Sequence, residues 1–393
     1  MTRFLFTSLP LAGHIDWGGM LATAGELATR PGHVVAWASG PAIEPAIQRA
    51  GVEFLPLVHT GWIEPSPMPP NLAADQQAVA RQQRALDAWL NSDAVLAAAH
   101  ELDRTAAGWQ PDVIVVEPYA AAGALVAERR GVSLVVCGRP ALALPANRPP
   151  GPAAARIAAL CRQFGVAGTS WDLVGGQIRS PWLHLDFFAR RWYADLPQLG
   201  PQTRFFGAGP AAGGSTTPRS KTILITLGSL FTDDPAFFRI AAGAVLAEGG
   251  QPLVVTGRRD VDSDAATILG LPADVEVTDW VNFDAVLPRV AGIVHHGGVG
   301  TTHAALRHGV PQVIVPHAGD QHAQAGRITP AGAGYGVRPS DFTPANARWF
   351  ARQLLTSDTL HLAASVWQAE LAALGGPTAA ADSLQEVTVT FRK

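Results

Sequence analysis

Apolar runs of strand length alternate with alanine-rich segments of helix length along most of the chain. The strand candidates are residues 4–7, 34–38, 113–116, 134–137, 223–226, 253–256, 292–295 and 313–315. They are apolar at nearly every position rather than at alternate ones. Such strands are buried on both faces, as in parallel sheets covered by helices on each side. Residues 20–29, 120–129, 235–248 and 301–308 have the length and character of the covering helices, and the polar, alanine-rich stretch 75–105 also reads as helical. This alternation predicts an α/β architecture with parallel sheets.

The pattern is interrupted once by composition. Residues 207–218, Gly-Ala-Gly-Pro-Ala-Ala-Gly-Gly-Ser-Thr-Thr-Pro, form a linker with a βα series on either side. The expected organisation is a first Rossmann-like domain over 1–206, a linker over 207–220 and a second Rossmann-like domain over 221–393, its last helical segment able to fold back onto the first domain. The length of 393 residues suits two or three domains at roughly 100–200 residues each. The crevice at the carboxyl ends of the strands is the expected ligand site. Two proline-rich stretches in the first half, 61–70 and 138–152, are either binding loops or plain surface loops.

Composition narrows the function classes. Hydrophobic residues make up 48% and charged residues 16%, which is a folding chain rather than a disordered one. The 29 basic and 32 acidic side chains nearly cancel, leaving no electrostatic footprint for nucleic acid or an anionic membrane. Two cysteines, Cys137 and Cys161, make no disulfide framework and no zinc ribbon. No run approaches the roughly 20 apolar residues of a membrane-spanning helix. Arg3 followed by apolar residues has the look of a leader, but Gly13-His14-Ile15-Asp16 stands where a small-residue cleavage site belongs. A first buried strand and a cytoplasmic protein are expected.

The clearest chemical motif is His295-His296-Gly297-Gly298-Val299-Gly300-Thr301-Thr302, between a strand and a helix. Glycines let a backbone approach an anion, and the exposed N–H groups at a helix start favour a diphosphate. Thr301 adds a hydroxyl and His296 a ring donor. Asp260-Val261-Asp262-Ser263-Asp264 has metal-like spacing, but Ala265 and Leu271 occupy the positions where a calcium loop needs Gly and Glu. Gly298-x-Gly300 lacks the third glycine of a nicotinamide fingerprint, where His303 stands. No metal site and no resident cofactor are expected.

Trp280-Val281, the His295–Thr302 segment, Gly309-Val310-Pro311-Gln312, Pro316 and Asp320-Gln321 together resemble the donor-binding signature of the GT-B glycosyltransferases of family 1. The His-His-Gly-Gly-x-Gly-Thr form is similar to the bacterial, antibiotic-type branch. Thr226-Leu227-Gly228-Ser229 resembles the family's Gly-Ser turn, and Gly13-His14 its catalytic-histidine loop. The resemblance spans both halves. It implies a GT-B fold, a UDP- or dTDP-sugar donor, an apolar small-molecule acceptor and inverting transfer to a hydroxyl.

Carried over residue by residue, the resemblance implies that Trp280 stacks on the base and the Val281 backbone bonds its edge. Ser229, His296, Gly298, Val299, Gly300 and Thr301 would hold the diphosphate, and Asp320 and Gln321 the sugar hydroxyls. His14 would be the general base, a role that suits imidazole near neutral pH. Its carboxylate partner is either Glu117, at the end of the 113–116 strand, or Asp16, its neighbour in sequence. In plant members a Glu bonds the ribose where this chain has Ala304, which mildly favours a 2-deoxyribose and hence dTDP. Eight of the eleven tryptophans lie in the first half, and Trp17 and Trp62, in irregular segments, are the acceptor-site candidates. A nucleotide-sugar epimerase and a non-catalytic activator of another transferase are the alternatives. Oligomeric state is not legible.

Overall fold

In the computed structural model, residues 1–15, 19–65, 74–143, 149–196, 198–209, 220–228, 234–257, 269–272 and 275–390 are described. Asp16, Trp17, Ser229 and most of the linker therefore lie outside the described residues. The chain divides into two compact units. The first comprises Met1–Phe187, Leu196–Phe206 and Gly375–Lys393, and the second Phe188–Asp195 and Gly207–Leu374.

The first unit carries strands β1 (Thr2–Thr7), β2 (His33–Ser39), β3 (Glu53–Pro56), β4 (Val113–Val116), β5 (Ser133–Cys137), β8 (Leu183–Asp186) and β9 (Thr203–Phe205), with β6 (Trp171–Asp172) and β7 (Gln177–Ile178) as a small antiparallel pair apart. The sheet order is β3-β2-β1-β4-β5-β8-β9, and every pairing in it is parallel. Alternate residues of one strand feed opposite cores. Phe4 and Phe6 pack with Met20, Leu27 and Trp37, whereas Leu5 packs with Ile114, Val116 and Leu125. That division explains why the strands read as unbroken apolar runs.

The second unit carries β10 (Thr222–Thr226), β11 (Gln251–Val255), β12 (Glu276–Thr278), β13 (Gly292–His295), β14 (Gln312–Ile314) and β15 (Gly334–Gly336). Their order is β12-β11-β10-β13-β14-β15, also wholly parallel. Ile223, Ile225, Val294 and Val313 face the helices Pro235–Ala247 and Pro344–Thr356, while Leu224, Ile293 and Val255 face the helix Val299–Arg307. Both sheets are thus Rossmann-like, as the strand-helix alternation predicts.

Local sequence sets the helix limits. Asp234 accepts a bond from the Phe237 N–H and Pro235 opens the helix behind it. Asn91 caps Ser92–Trp109 in the same way. That cap splits the 75–105 stretch into two helices, Ala74–Trp89 and Ser92–Trp109. Element limits differ from the reading above by one or two residues: the fourth covering helix starts at Val299 rather than 301, β1 begins at Thr2, β11 begins at Gln251, and β14 covers Gln312–Ile314. The C-terminal helix Gly376–Thr390 buries Ala380, Ala381 and Leu384 in the first unit's core. Arg30 binds its Asp382 at 2.6 Å and Gln385 at 2.8 Å.

The strand order reverses between β1 and β4 in one unit and between β10 and β13 in the other. Connections leave these pairs in opposite directions, so their carboxyl ends stay open for a ligand. Helix Ala121–Arg130 comes very close beneath the first opening. A Cβ on its Gly123 would stand 2.5 Å from Val116 Cγ1 and 2.6 Å from Thr7 Cγ2. Gly123→Val should therefore lower unfolding free energy by roughly 1–3 kcal/mol through overpacking. Gly243, exposed within Pro235–Ala247, has open space at its Cβ position. Gly243→Ala should stabilise by about 0.5–1 kcal/mol. Urea unfolding of the two variants against the parent chain checks both signs.

Candidate functional site

At the β1/β4 opening, Thr7 and Val116 are register partners, so the residues that follow them emerge side by side. Glu117 is the first residue after β4 and is fully buried. Its Oε1 accepts the Leu9 N–H at 3.3 Å and its Oε2 the Tyr119 N–H at 2.8 Å. A buried carboxylate needs such donors, and here the main chain supplies them, so its orientation is fixed before any ligand arrives.

His14 lies on the turn after β1, its N–H bonded to the Leu11 carbonyl at 2.8 Å. The turn brings its Nδ1 to 3.4 Å from Glu117 Oε1. An imidazole whose Nδ1 faces a fixed carboxylate presents Nε2 as a proton acceptor. The structure thus brings His14 and Glu117 together. The rival Asp16 lies outside the described residues, as does Trp17.

Tyr119 was not among the candidates. Its ring centre is 5.6 Å from that of His14 and 5.0 Å from that of Trp89, and the Arg139 guanidinium stands 5.6 Å over its face. Its position just after an apolar strand was the available signal. Trp62 is half-buried in the 57–65 stretch. Other tryptophans of the first half serve the cores instead: Trp37 stacks on Phe6 at 5.5 Å, and Trp171 and Trp192 are buried.

At the β10/β13 opening, Thr226 and His295 are register partners. The chain after β13 turns through His296, Gly297 and Gly298 into helix Val299–Arg307, which has no side-chain cap and no acidic residue in its first turn. Its first bond runs from the Thr302 N–H to the Gly298 carbonyl at 2.9 Å. The N–H groups of Val299, Gly300 and Thr301 thus have no partner within the helix, the arrangement that suits an anion.

His296 is seated between two glycines. A Cβ on Gly228 would stand 2.7 Å from its Cε1, and one on Gly298 would stand 2.7 Å from its Nε2. Gly228 also has φ +70°, where side chains are strained. Burial, aided by His295 and His317 nearby, pushes His296 down to about 3, and burial alone pushes His295 down to about 4. Both rings are therefore neutral at pH 7.

The other donor candidates of this unit follow the carboxyl ends of β12 and β14 in the same sheet. Trp280 is 64% exposed, leaving an indole face open, and Val281 packs on the cluster of Leu253, Leu287 and Ile293. Gln321 is buried, and its Oε1 accepts the N–H groups of His317 at 2.7 Å and Ala318 at 2.9 Å. The amide nitrogen is then what Gln321 can offer a ligand. Asp320 is half-buried at the start of helix Gln321–Ile328. His317 stands between the Val315 carbonyl at 3.0 Å and Asp234 Oδ2 at 3.3 Å, and it holds the Asp234 carboxyl below its usual range. Ala304 is buried in the apolar cluster with Leu253, Leu287 and Val310. Ser229 lies outside the described residues.

Among the described residues no group of three or more His, Cys, Asp or Glu is arranged to hold a metal ion, and no helix is long and apolar enough to cross a membrane.

Comparison with known proteins follows the same lines. Residues 254–387 match the family described as Erythromycin biosynthesis protein CIII-like, C-terminal domain. The 10-deoxymethynolide desosaminyltransferase of Streptomyces venezuelae is 28% identical over 96% of this chain and 95% of its own length. The solved glycotransferase of kitacinnamycin shares the fold with a TM-score of 0.74, at 23% identity over 98% of this chain and 99% of that one. The spinosyn rhamnosyltransferase SpnG, solved with thymidine diphosphate, gives 0.70 at 20% identity over 98% of this chain and 100% of that one.

The two neutral histidines make stability sensitive to acid. In the unfolded chain each takes up a proton near its ordinary value of 6.5, but in the fold only near 4 or 3. Between those limits the unfolded state binds more protons, so stability is full above about pH 6.5 and falls as pH drops towards 4. In urea titrations His295→Gln should flatten that slope by up to ~1.4 kcal/mol per pH unit. An unchanged slope would place the acid sensitivity elsewhere.

Proposed function

The chain is a GT-B glycosyltransferase of the natural-product type, and from that premise we propose that it moves a sugar from a dTDP- or UDP-sugar to a hydroxyl of an apolar small molecule, with inversion at the anomeric carbon. The observation that carries the reading is the contact of His14 Nδ1 with the main-chain-fixed carboxylate of Glu117 at 3.4 Å. It prepares a base at a strand end, where ligands of such sheets bind.

In this reading His14 Nε2 takes the proton of the acceptor hydroxyl. The acceptor oxygen bonds to the anomeric carbon as the bond from that carbon to the β-phosphate oxygen breaks, and the electron pair leaves on the diphosphate. Glu117 stabilises the imidazolium that forms. The leaving charge meets the N–H groups of Val299, Gly300 and Thr301, with His296 and Ser229 as further donors, a preorganised anion site of the kind that stabilises developing charge. Trp280 stacks on the base, the Val281 backbone bonds its edge, and Asp320 with the Gln321 amide bonds the sugar. Trp62 is the acceptor-side candidate among the described residues.

The donor nucleotide is proposed to be dTDP rather than UDP. Ala304 offers no acceptor to a ribose 2-hydroxyl, and the SpnG structure was solved with thymidine diphosphate. Changing Ala304 to Glu would bury a carboxylate against Leu287 and Val310, so the direct test is calorimetric competition of dTDP against UDP on the unaltered chain. Equal affinities would remove the preference. The epimerase and activator alternatives are not favoured, since relatives matching along nearly the whole chain are named transferases.

Three substitutions test the roles. His296→Ala should weaken binding of both nucleoside diphosphates by about 1.5–3 kcal/mol, the scale of a hydrogen bond to a charged group. His14→Ala should keep donor affinity and lose transfer by roughly 100-fold or more. Glu117→Gln should lower turnover at unchanged donor affinity. Full transfer by His14→Ala with an alcohol acceptor would sink the base assignment while leaving the diphosphate site intact.

A further inference from the structure

The side chains of His295 and Gln312 do nothing in the reaction as proposed, yet both are fully buried polar groups in an apolar sheet. Gln312 opens β14 opposite Ile293, and His295 ends β13 two residues further on. Alternation places the two side chains on one face of the sheet as diagonal neighbours. Ile293 on the same face packs with Ala304 and Ala305 of helix Val299–Arg307, so both lie between the sheet and that helix.

Their hydrogen bonds form one directed chain. The Gly297 N–H meets His295 Nδ1 at 3.1 Å, His295 Nε2 lies 2.9 Å from Gln312 Oε1, and Gln312 Nε2 donates to the Thr302 carbonyl at 3.2 Å. Only one assignment satisfies every member. Nδ1 must accept from the main chain, so Nε2 carries the proton and gives it to the amide oxygen, which leaves the amide N–H groups for Thr302. The chain therefore starts in the glycine turn before the helix and ends in the helix's first turns, bridging behind His296 and the open N–H groups.

We infer that His295 and Gln312 are positioning residues that hold the glycine turn and the helix start at the spacing a diphosphate requires. The first link imitates an Asx turn, in which a side chain accepts the N–H two residues on. It turns the Gly297 N–H inward, away from competition for the anion. At Gly297 the φ of +91° and a prospective Cβ only 2.6 Å from Ile314 leave no other side chain room there. The second and third links tie that turn to Thr302. Protonating His295 on Nδ1 would set two donors against each other and open the turn, and burial, which lowers its pKa, opposes this.

This inference rests on the diphosphate reading of the turn, and the test separates the two. Calorimetry compares dTDP and UDP with thymidine and uridine, for the parent chain and for Gln312→Met, His295→Leu, His295→Asn and His296→Ala. Gln312→Met nearly conserves volume and removes both amide bonds, so it serves if His295→Leu fails to fold. Gln312→Met and His295→Leu should weaken the diphosphates roughly tenfold, and the nucleosides by less than about twofold. His295→Asn should recover part of the loss, because its Oδ1 can still accept the Gly297 N–H. Parallel losses of nucleoside and diphosphate, or no loss in a folded variant, would overturn the positioning role. If His296→Ala also leaves diphosphate binding intact, the diphosphate reading of the turn itself fails. If only His296→Ala weakens it, that reading stands and the positioning role falls.

Discussion

Both openings depend on one constraint: a parallel sheet must be covered on both faces, and its crossover connections are right-handed. Where strand order reverses, successive connections depart to opposite faces and no helix closes the strand ends. In this chain the reversals fall between β1 and β4 and between β10 and β13. His14 and Glu117 follow one pair, and Gly228 and His296 follow the other. The candidate residues of each unit are distant in sequence but are placed together by register, Thr7 with Val116 and Thr226 with His295.

A strand end at such an opening is an awkward place for polar groups, being buried but close to a ligand. Each unit meets this with main-chain partners. Glu117 is held by the Leu9 and Tyr119 N–H groups, and His295 by the Gly297 N–H. Gln321 turns its oxygen onto two N–H groups of its own loop. Fixing polar side chains to backbone rather than to mobile side chains lowers the reorganisation needed when charge develops nearby. The same burial keeps His295 and His296 neutral, so the turn after β13 carries no histidine charge, and what it presents is dipoles and N–H groups.

Much of this was legible in the sequence because its causes are local. Unbroken apolar runs reflect burial on two faces, and caps such as Asn91 and Asp234 mark helix starts. The glycine turn with His296 and Thr301 was legible because so tight a passage from strand to helix needs glycine at fixed spacing. The tryptophans were less informative. An indole buried in a core, such as Trp37 beside Phe6, and one exposed on a surface, such as Trp280, look the same in one dimension.

The sequence by itself determined the βα alternation, two Rossmann-like sheets and the residue types able to bind a nucleoside diphosphate, since these follow from periodicity, composition and short-range spacing. Only the tertiary structure decided which carboxylate meets His14 among those described, because register across the strands, and not adjacency, sets that distance. It likewise decided that Gln321 spends its oxygen within its own loop, that Ala304 is closed in by leucine and valine, and that Gln312 reaches His295. Those facts depend on atoms brought together across tens or hundreds of residues, and no local pattern encodes a distance between two strands that pair.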